Sequence, residues 1–217
     1  MSQITKISPQ KKPGRFNIFL EGKYAFSLSE EVLLAEGLRQ GDELADAQIS
    51  KILDDDLQSK ILSKILDFIS YQRRSERELK EKLNLHLLKY VSDENLREVL
   101  KEKILGKIRE LGLVDDAAFA KAYVSGQLLS RNPAGKFKLK QFLFKKGIPS
   151  EIIHDALESY ESPKELEGAL AASERKLKLI KAPNERERMA KLWKFLASRG
   201  YSSDVIKAVV DTKFKIR

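Results

Sequence analysis

The sequence predicts a mainly α fold: three three-helix repeats of helix-turn-helix-like size behind an N-terminal β-hairpin extension. The first observation is a module that returns. Leu139, Phe142, Leu143, Lys146, Gly147, Ile148, Ile152 and Ile153 reappear as Leu192, Phe195, Leu196, Arg199, Gly200, Tyr201, Val205 and Ile206, each displaced by 53 positions, as from 147 to 200. A fainter copy lies upstream, where Leu79 and Leu83 precede Leu139 and Leu143 by 60 positions, just after Arg73, Arg74 and Ser75. Third, apolar residues recur at three- and four-residue steps from about position 45 almost to the end. Units of such a period stack because each covers an apolar face that its neighbour cannot cover alone. The predicted boundaries are 1–44 for the extension and 45–112, 113–161 and 162–217 for the repeats.

Residues 15 to 28 read as a β-hairpin. Phe16, Ile18 and Leu20 alternate with polar or outward positions, and Tyr24, Phe26 and Leu28 do the same across Glu21, Gly22 and Lys23. Ile4 and Ile7 add a short third strand before the turn at Lys11, Lys12, Pro13 and Gly14. So few strands are marginal alone in water, so their apolar face is expected to rest on the helices that follow, around Val32 to Leu34 and Leu38. Ile49 to Ile69 then form one helix, and Ser75 with Glu78 makes a capping box ahead of Leu79 and Leu83. Asp93 opens a helix through Leu100, Ile104 and Ile108 that Gly112 ends, because glycine takes the left-handed C′ conformation at little cost. Asp115 caps the next helix; Asn132 and Pro133 separate it from Lys136 to Lys146, and Pro149 sits in the first turn of the helix bearing Ile152 and Ile153. The last unit runs from Lys164 to Leu179, Asn184 to Ser198, and Ser202 or Ser203 to Phe214, with Pro183 breaking the first pair.

With 217 residues and 42% apolar content the chain can bury one or two cores, yet 34% charge exceeds the roughly 25% of an ordinary domain. The net charge of +9 is uneven. Arg131, Lys136, Lys138, Lys140, Lys145 and Lys146 face no acid between 131 and 147, whereas 148 to 172 is acidic. A segment of this kind suits phosphate or an acidic protein, the other reading being a solvated helix face. The absence of cysteine removes disulfides and thiolate chemistry and fits a reducing compartment. With no apolar run near the roughly 18 residues that span a bilayer and no hydrophobic signal core, a cytoplasmic location is expected.

No catalytic motif emerges. Gly106 and Lys107 are followed by Ile108 inside a helix, which is no phosphate-binding loop. His86 and His154 lack a second histidine or cysteine at ligand spacing, so no metal is expected. Asp115 and Asp116 stand at a helix start, where capping outweighs metal binding. Phe119, Tyr123, Phe142 and Phe195 sit at spacings typical of core, while Trp193 stays open as a base-stacking residue.

Arg73, Arg74, Ser75, Glu76, Glu78 and Leu79, followed by Gly112, Leu113, Val114, Asp115, Asp116, Ala117, Ala118, Phe119, Ala120, Lys121, Ala122 and Tyr123, resemble the opening motif and the Gly-Leu-Ile-Asp-Asp signature of the RecX regulators of the RecA recombinase. The turns at Lys145 to Ile148 and Ser198 to Tyr201 are similar to that family's later repeats. Two departures stand out. Leu85 to Tyr90 replaces a Lys-Gly-hydrophobic turn after Leu83, and Asn132, Pro133, Ala134 and Gly135 stand where the family places a glycine before proline.

The resemblance implies an elongated, curved array and negative regulation of RecA through its nucleoprotein filament, impeding strand exchange, coprotease activity and ATP turnover. The partners expected are that filament and, in weak and salt-sensitive fashion, single- and double-stranded DNA, and from the residues themselves a monomer with no membrane partner, cofactor or enzymatic role is expected. From charge and position, the contact candidates are Arg73, Arg74, Arg131, Lys136, Lys140, Lys145, Lys146, Arg175, Lys176 and Arg199. A rival from another class is a helical DNA-binding module acting without any recombinase.

Overall fold

The structure, a computed structural model, describes residues 1–11, 13–130, 133–158, 160 and 162–214, and it divides into two compact units. Among the described residues there are four strands and ten helices, and no helix is long and apolar enough to cross a membrane.

The first unit comprises Met1–Gln72 and Leu79–Leu113. Strands β1 (Ser2–Pro9), β2 (Arg15–Leu20), β3 (Lys23–Ser29) and β4 (Glu43–Leu44) form an antiparallel sheet in the order β3-β2-β1-β4. The hairpin loop is tighter than expected. Leu20 pairs with Lys23, so the turn is Glu21-Gly22 alone, with φ of 48° and 76°. Two positive φ values make the primed turn whose twist matches the flanking strands. As expected, one sheet face is apolar and covered: Ile4, Ile18, Phe26 and Leu28 pack with Val32 of α1 (Glu30–Ala35) and Ile52 of α2 (Asp46–Ser70). The sheet is also tied to α2 by a buried carboxylate. Asp56 accepts from the Arg15 guanidinium at 2.9 Å and from the Ser29 amide at 2.6 Å. Further along, α2 buries Ile61, Leu62 and Ile65, α3 (Glu76–Leu87) buries Leu79, Leu83 and Leu87, and α4 (Glu94–Glu110) buries Leu100, Ile104, Leu105 and Ile108.

The second unit comprises Arg73–Glu78, which leads into and includes the start of α3, with Val114–Arg217. It holds α5 (Asp116–Leu128), α6 (Lys136–Lys145), α7 (Ser150–Glu158), α8 (Ser162–Leu177), α9 (Glu185–Ser198) and α10 (Ser203–Phe214). The first three share a core of Ala120, Val124, Leu139, Leu143, Ile153 and Ala156, and the last three one of Ala169, Ala172, Leu192, Leu196, Ile206 and Val209. The repeated apolar positions are therefore core positions. Pro149 stands just ahead of α7, where its carbonyl accepts from Ile153.

The punctuation expected of the helices is present in atomic detail. Asp93, Asp115 and Asn184 cap α4, α5 and α9 by accepting from the amides of Leu96, Ala118 and Glu187 at 2.7–2.8 Å. After α4, α6 and α9 the glycines 112, 147 and 200 take φ of 63°, 78° and 82°, and each is followed by the same pair of closing bonds. In the α6 case Gly147 donates to Phe144 and Ile148 to Leu143, which satisfies carbonyls a helix end leaves open. The first repeat departs from this at α3. It ends without glycine, with Tyr90 and Val91 both donating to the Leu87 carbonyl.

Candidate nucleic-acid interface

The basic turns of the repeat serve first as joints. Within the second unit, the turn closing α6 lies against the start of α3. The Ser75 hydroxyl donates to the Lys146 carbonyl at 2.7 Å, and Lys146 Nζ reaches Glu78 Oε1 at 2.5 Å. Gly147 meets the side chain of Arg77, so closely that a Cβ there would lie 2.4 Å from Arg77 Cδ. The turn closing α9 meets the start of α6 in the same way, for the Gly135 amide donates to the Arg199 carbonyl at 2.9 Å and the Phe137 amide to Gly200 at 3.1 Å. Ser75 and Gly135 thus hold equivalent places, each supplying a donor to the carbonyl of the basic residue before a C′ glycine. Each joint also has a carboxylate: Glu78 in the first, and in the second the buried Glu165, which accepts from the Lys136 amide at 3.0 Å.

Two tyrosines fasten the segment before α6. Tyr160 donates to the Ala134 carbonyl and Tyr201 to that of Pro133, both at 2.9 Å. Burial drives both phenols up, Tyr201 to about 12 and Tyr160 further, so at neutral pH both are un-ionised donors. Asp116, in the expected pair at the start of α5, accepts from the Glu76 amide at 2.9 Å and thereby helps begin α3.

These joints sort the basic candidates. Lys146 is paired with Glu78; Arg74 lies 3.8 Å from the same carboxylate; Arg199 donates to the Pro133 carbonyl at 3.3 Å. Lys176 and Arg199 sit over the Phe195 ring at 5.2 and 5.9 Å. Arg175 is half-buried on α8, and Arg131 lies outside the described residues. Arg73, Lys140 and Lys145 are exposed and Lys136 is half-buried. The segment that lacks acids in sequence therefore does not lack them in space, because Glu78 reaches Lys146 from 68 positions away.

Lys136 and Lys140 also line a cleft of about 650 Å³ with Phe137, Trp193, Ser202 and Ser203. Gly200 and Tyr201 of the second joint line it as well. Exposed aromatic rings beside lysines are the elements of a single-strand platform, a π-face for a base and a cation for its phosphate. Of the aromatics weighed from sequence, Tyr123 and Phe142 stack on each other, with centroids 4.0 Å apart, and Phe119 and Phe195 pack against the cores. Trp193 is exposed, as are Phe137 and Phe144, which periodicity did not single out. The sequence reading also missed a cluster in the first unit, where Lys60 and Lys64 of α2 meet Lys82 and His86 of α3 together with Lys89 and Tyr90. His154, Asp155 and Glu158 share an exposed turn of α7 with ligand atoms within 4.8 Å of one another, an arrangement common on surfaces without any ion.

Comparison with known proteins gives three family matches in chain order. The regulatory protein RecX N-terminal domain matches residues 2–45, the second three-helix domain of RecX matches 115–157, and the third matches 164–210. Regulatory protein RecX of Limosilactobacillus reuteri (strain DSM 20016) is 36% identical over 211 residues, covering 97% of this chain and 76% of that protein. The chain belongs to the RecX family. Regulatory protein RecX of Clostridioides difficile (strain 630) is 29% identical over 97% of this chain and 95% of its own length. A crystal structure of regulatory protein RecX superposes with a TM-score of 0.75 at 34% identity, over 97% of this chain and all of that one. RecX from Lactobacillus salivarius gives a TM-score of 0.62 at 26% identity over 75% of this chain and 99% of that one. The family domains fall on the sheet-bearing extension and on the two repeats of the second unit.

Proposed function

We propose that this chain is a negative regulator of the RecA recombinase, one that binds the RecA–DNA nucleoprotein filament and lowers strand exchange, ATP hydrolysis and coprotease activity. The observation that carries the reading is the match, over nearly the whole chain, to proteins named as regulatory protein RecX. The mechanism is binding without catalysis. Successive repeats offer several small contacts, and weak contacts on one linked body add through effective concentration. Lys136, Lys140 and Lys145, free of the Lys146–Glu78 joint, supply the phosphate term near filament DNA, which weakens as salt rises. The protein acts as a monomer in the cytoplasm.

The test is ATP hydrolysis by the cognate recombinase on single-stranded DNA as purified protein is added. Suppression is expected, and it weakens in a Lys136→Glu, Lys140→Glu, Lys145→Glu variant that leaves Lys146 in place. Inhibition unchanged in that variant discards these lysines. Tight duplex binding, nanomolar or better at about physiological salt, with no effect on the recombinase would replace this reading by that of an architectural DNA-binding protein.

A further inference from the structure

We propose that Lys60, Lys64, Lys82 and Lys89, gathered around His86 and Tyr90, form a phosphate-binding site for single-stranded nucleic acid in the first unit. The site is separate from the lysines of α6 and needs no recombinase. Two helices build it. Lys60 and Lys64 lie one turn apart on α2, Lys82 and His86 one turn apart on α3, and Lys89 and Tyr90 follow directly where α3 ends. Lys60 Nζ is 4.3 Å and Lys64 Nζ 5.9 Å from the centre of the Tyr90 ring, while Lys82 Nζ stands 5.3 Å over Phe68. Lys60, Lys64 and Lys82 thus lean on rings and not on carboxylates. Among the described residues none of the four enters an ion pair, in a chain where other lysines find Glu36, Glu78 and Glu174.

Like charges one helical turn apart repel, so the sequence holds this group together against its own electrostatics. At the centre His86 Nδ1 is buried with no hydrogen-bond partner. Burial first, then the charges of Lys64, Lys82 and Lys89, hold its imidazole below the usual histidine range, and no carboxylate contributes from either helix. Such a site lacks only an anion. His86 also stands 60 positions before Lys146, at the place in the repeat where the later copies carry the basic residue of a joint. The first copy has no glycine turn there, and Lys89 and the Tyr90 ring are exposed where it ends, beside the half-buried Lys60, Lys64 and Lys82.

The same cations could be read by an acidic protein segment. The exposed Tyr90 ring among ammonium groups favours a polymer that alternates charge with flat apolar faces, which describes a single strand better than a row of carboxylates. A bound phosphate would offset the ammonium charges that hold the His86 imidazole toward its neutral form, so binding shifts its titration upward.

The experiment uses the full-length chain and labelled oligothymidylate, with fluorescence anisotropy across a salt series and a duplex of equal length as the second ligand. A Lys64→Glu, Lys82→Glu variant is expected to bind the single strand about ten-fold more weakly, with the salt slope smaller by about 1.4, at roughly 0.7 per single-strand phosphate contact. A Lys121→Glu, Lys207→Glu control makes the same charge change on exposed lysines of the second unit and is expected to lose far less. The second readout is the proton spectrum of the two histidines against pH. His86 should titrate higher with oligothymidylate present, while His154 stays put. Equal losses in variant and control, an unmoved His86, or tighter binding of polyglutamate than of oligothymidylate would each overturn the proposal.

Discussion

Replacing Gly135 with alanine is expected to open the joint between α6 and the turn after α9. A Cβ at Gly135 would stand 2.2 Å from the Gly200 carbonyl oxygen, 2.3 Å from its carbon and 2.4 Å from the Tyr201 nitrogen. All three are backbone atoms held by the α9 turn, so no side chain can swing aside. Backbone conformation adds nothing to the cost, since Gly135 has φ of −70°, open to any residue. The two segments must part, which surrenders the bonds from Gly135 to Arg199, from Phe137 to Gly200 and from Tyr201 to Pro133. At about 1 kcal/mol each the loss is about 3 kcal/mol. For a chain of this size that lowers the melting temperature by about 6–12 °C. The same change at Gly126, inside α5 with nothing within 4 Å of the added carbon, is expected to stabilise by about 0.5–1 kcal/mol. Thermal and urea unfolding followed by circular dichroism compare the two. A Gly135→Ala protein that melts with wild type, or a pair of variants shifted the same way, would refute the steric joint.

Other consequences follow from the same contacts. At Glu78 burial favours the neutral acid, but the Lys146 and Ser75 hydrogen bonds and the nearby cations outweigh it and lower its pKa. A depressed carboxylate stabilises the fold above its unfolded pKa and loses that contribution as pH falls through the folded one. Stability should therefore drop on acidification below about pH 4.5, and the drop should flatten in Lys146→Met, read as urea midpoints against pH. Tyr201→Phe removes one buried donor and is expected to cost about 1 kcal/mol, and in wild type the Tyr201 phenol should ionise only near pH 12 by ultraviolet difference titration. Asp56→Ala strips the acceptor from Arg15 and from the Ser29 amide, leaving both without that carboxylate at the sheet, and is expected to cost about 3 kcal/mol by urea unfolding.

How much of this could be read from the residues alone depends on how local each feature is. The hairpin showed through the alternation of Phe16, Ile18 and Leu20, and helix ends showed through Asp93, Asp115, Asn184 and the C′ glycines, because caps and turns are settled within a few residues. Strand β4 did not show, since two residues carry no period. The 53-residue echo revealed the repeated cores, but not that Lys146 and Arg199 would be spent on joints, as their partners Glu78 and Pro133 lie 68 and 66 positions away. Counting acids near a basic segment cannot detect a carboxylate brought in by tertiary structure. The first-unit lysines stayed hidden for the converse reason. Along the chain they are diluted by Asp67, Glu76, Glu78 and Glu81, and only the packing of α2 with the end of α3 gathers them around His86.

The most direct test of the regulatory account is DNA strand exchange by the cognate recombinase with this protein added at well below one chain per recombinase protomer. Binding to the filament predicts that exchange falls steeply at such ratios and recovers as salt is raised. Exchange that proceeds undiminished even at equal amounts of the two proteins would contradict it.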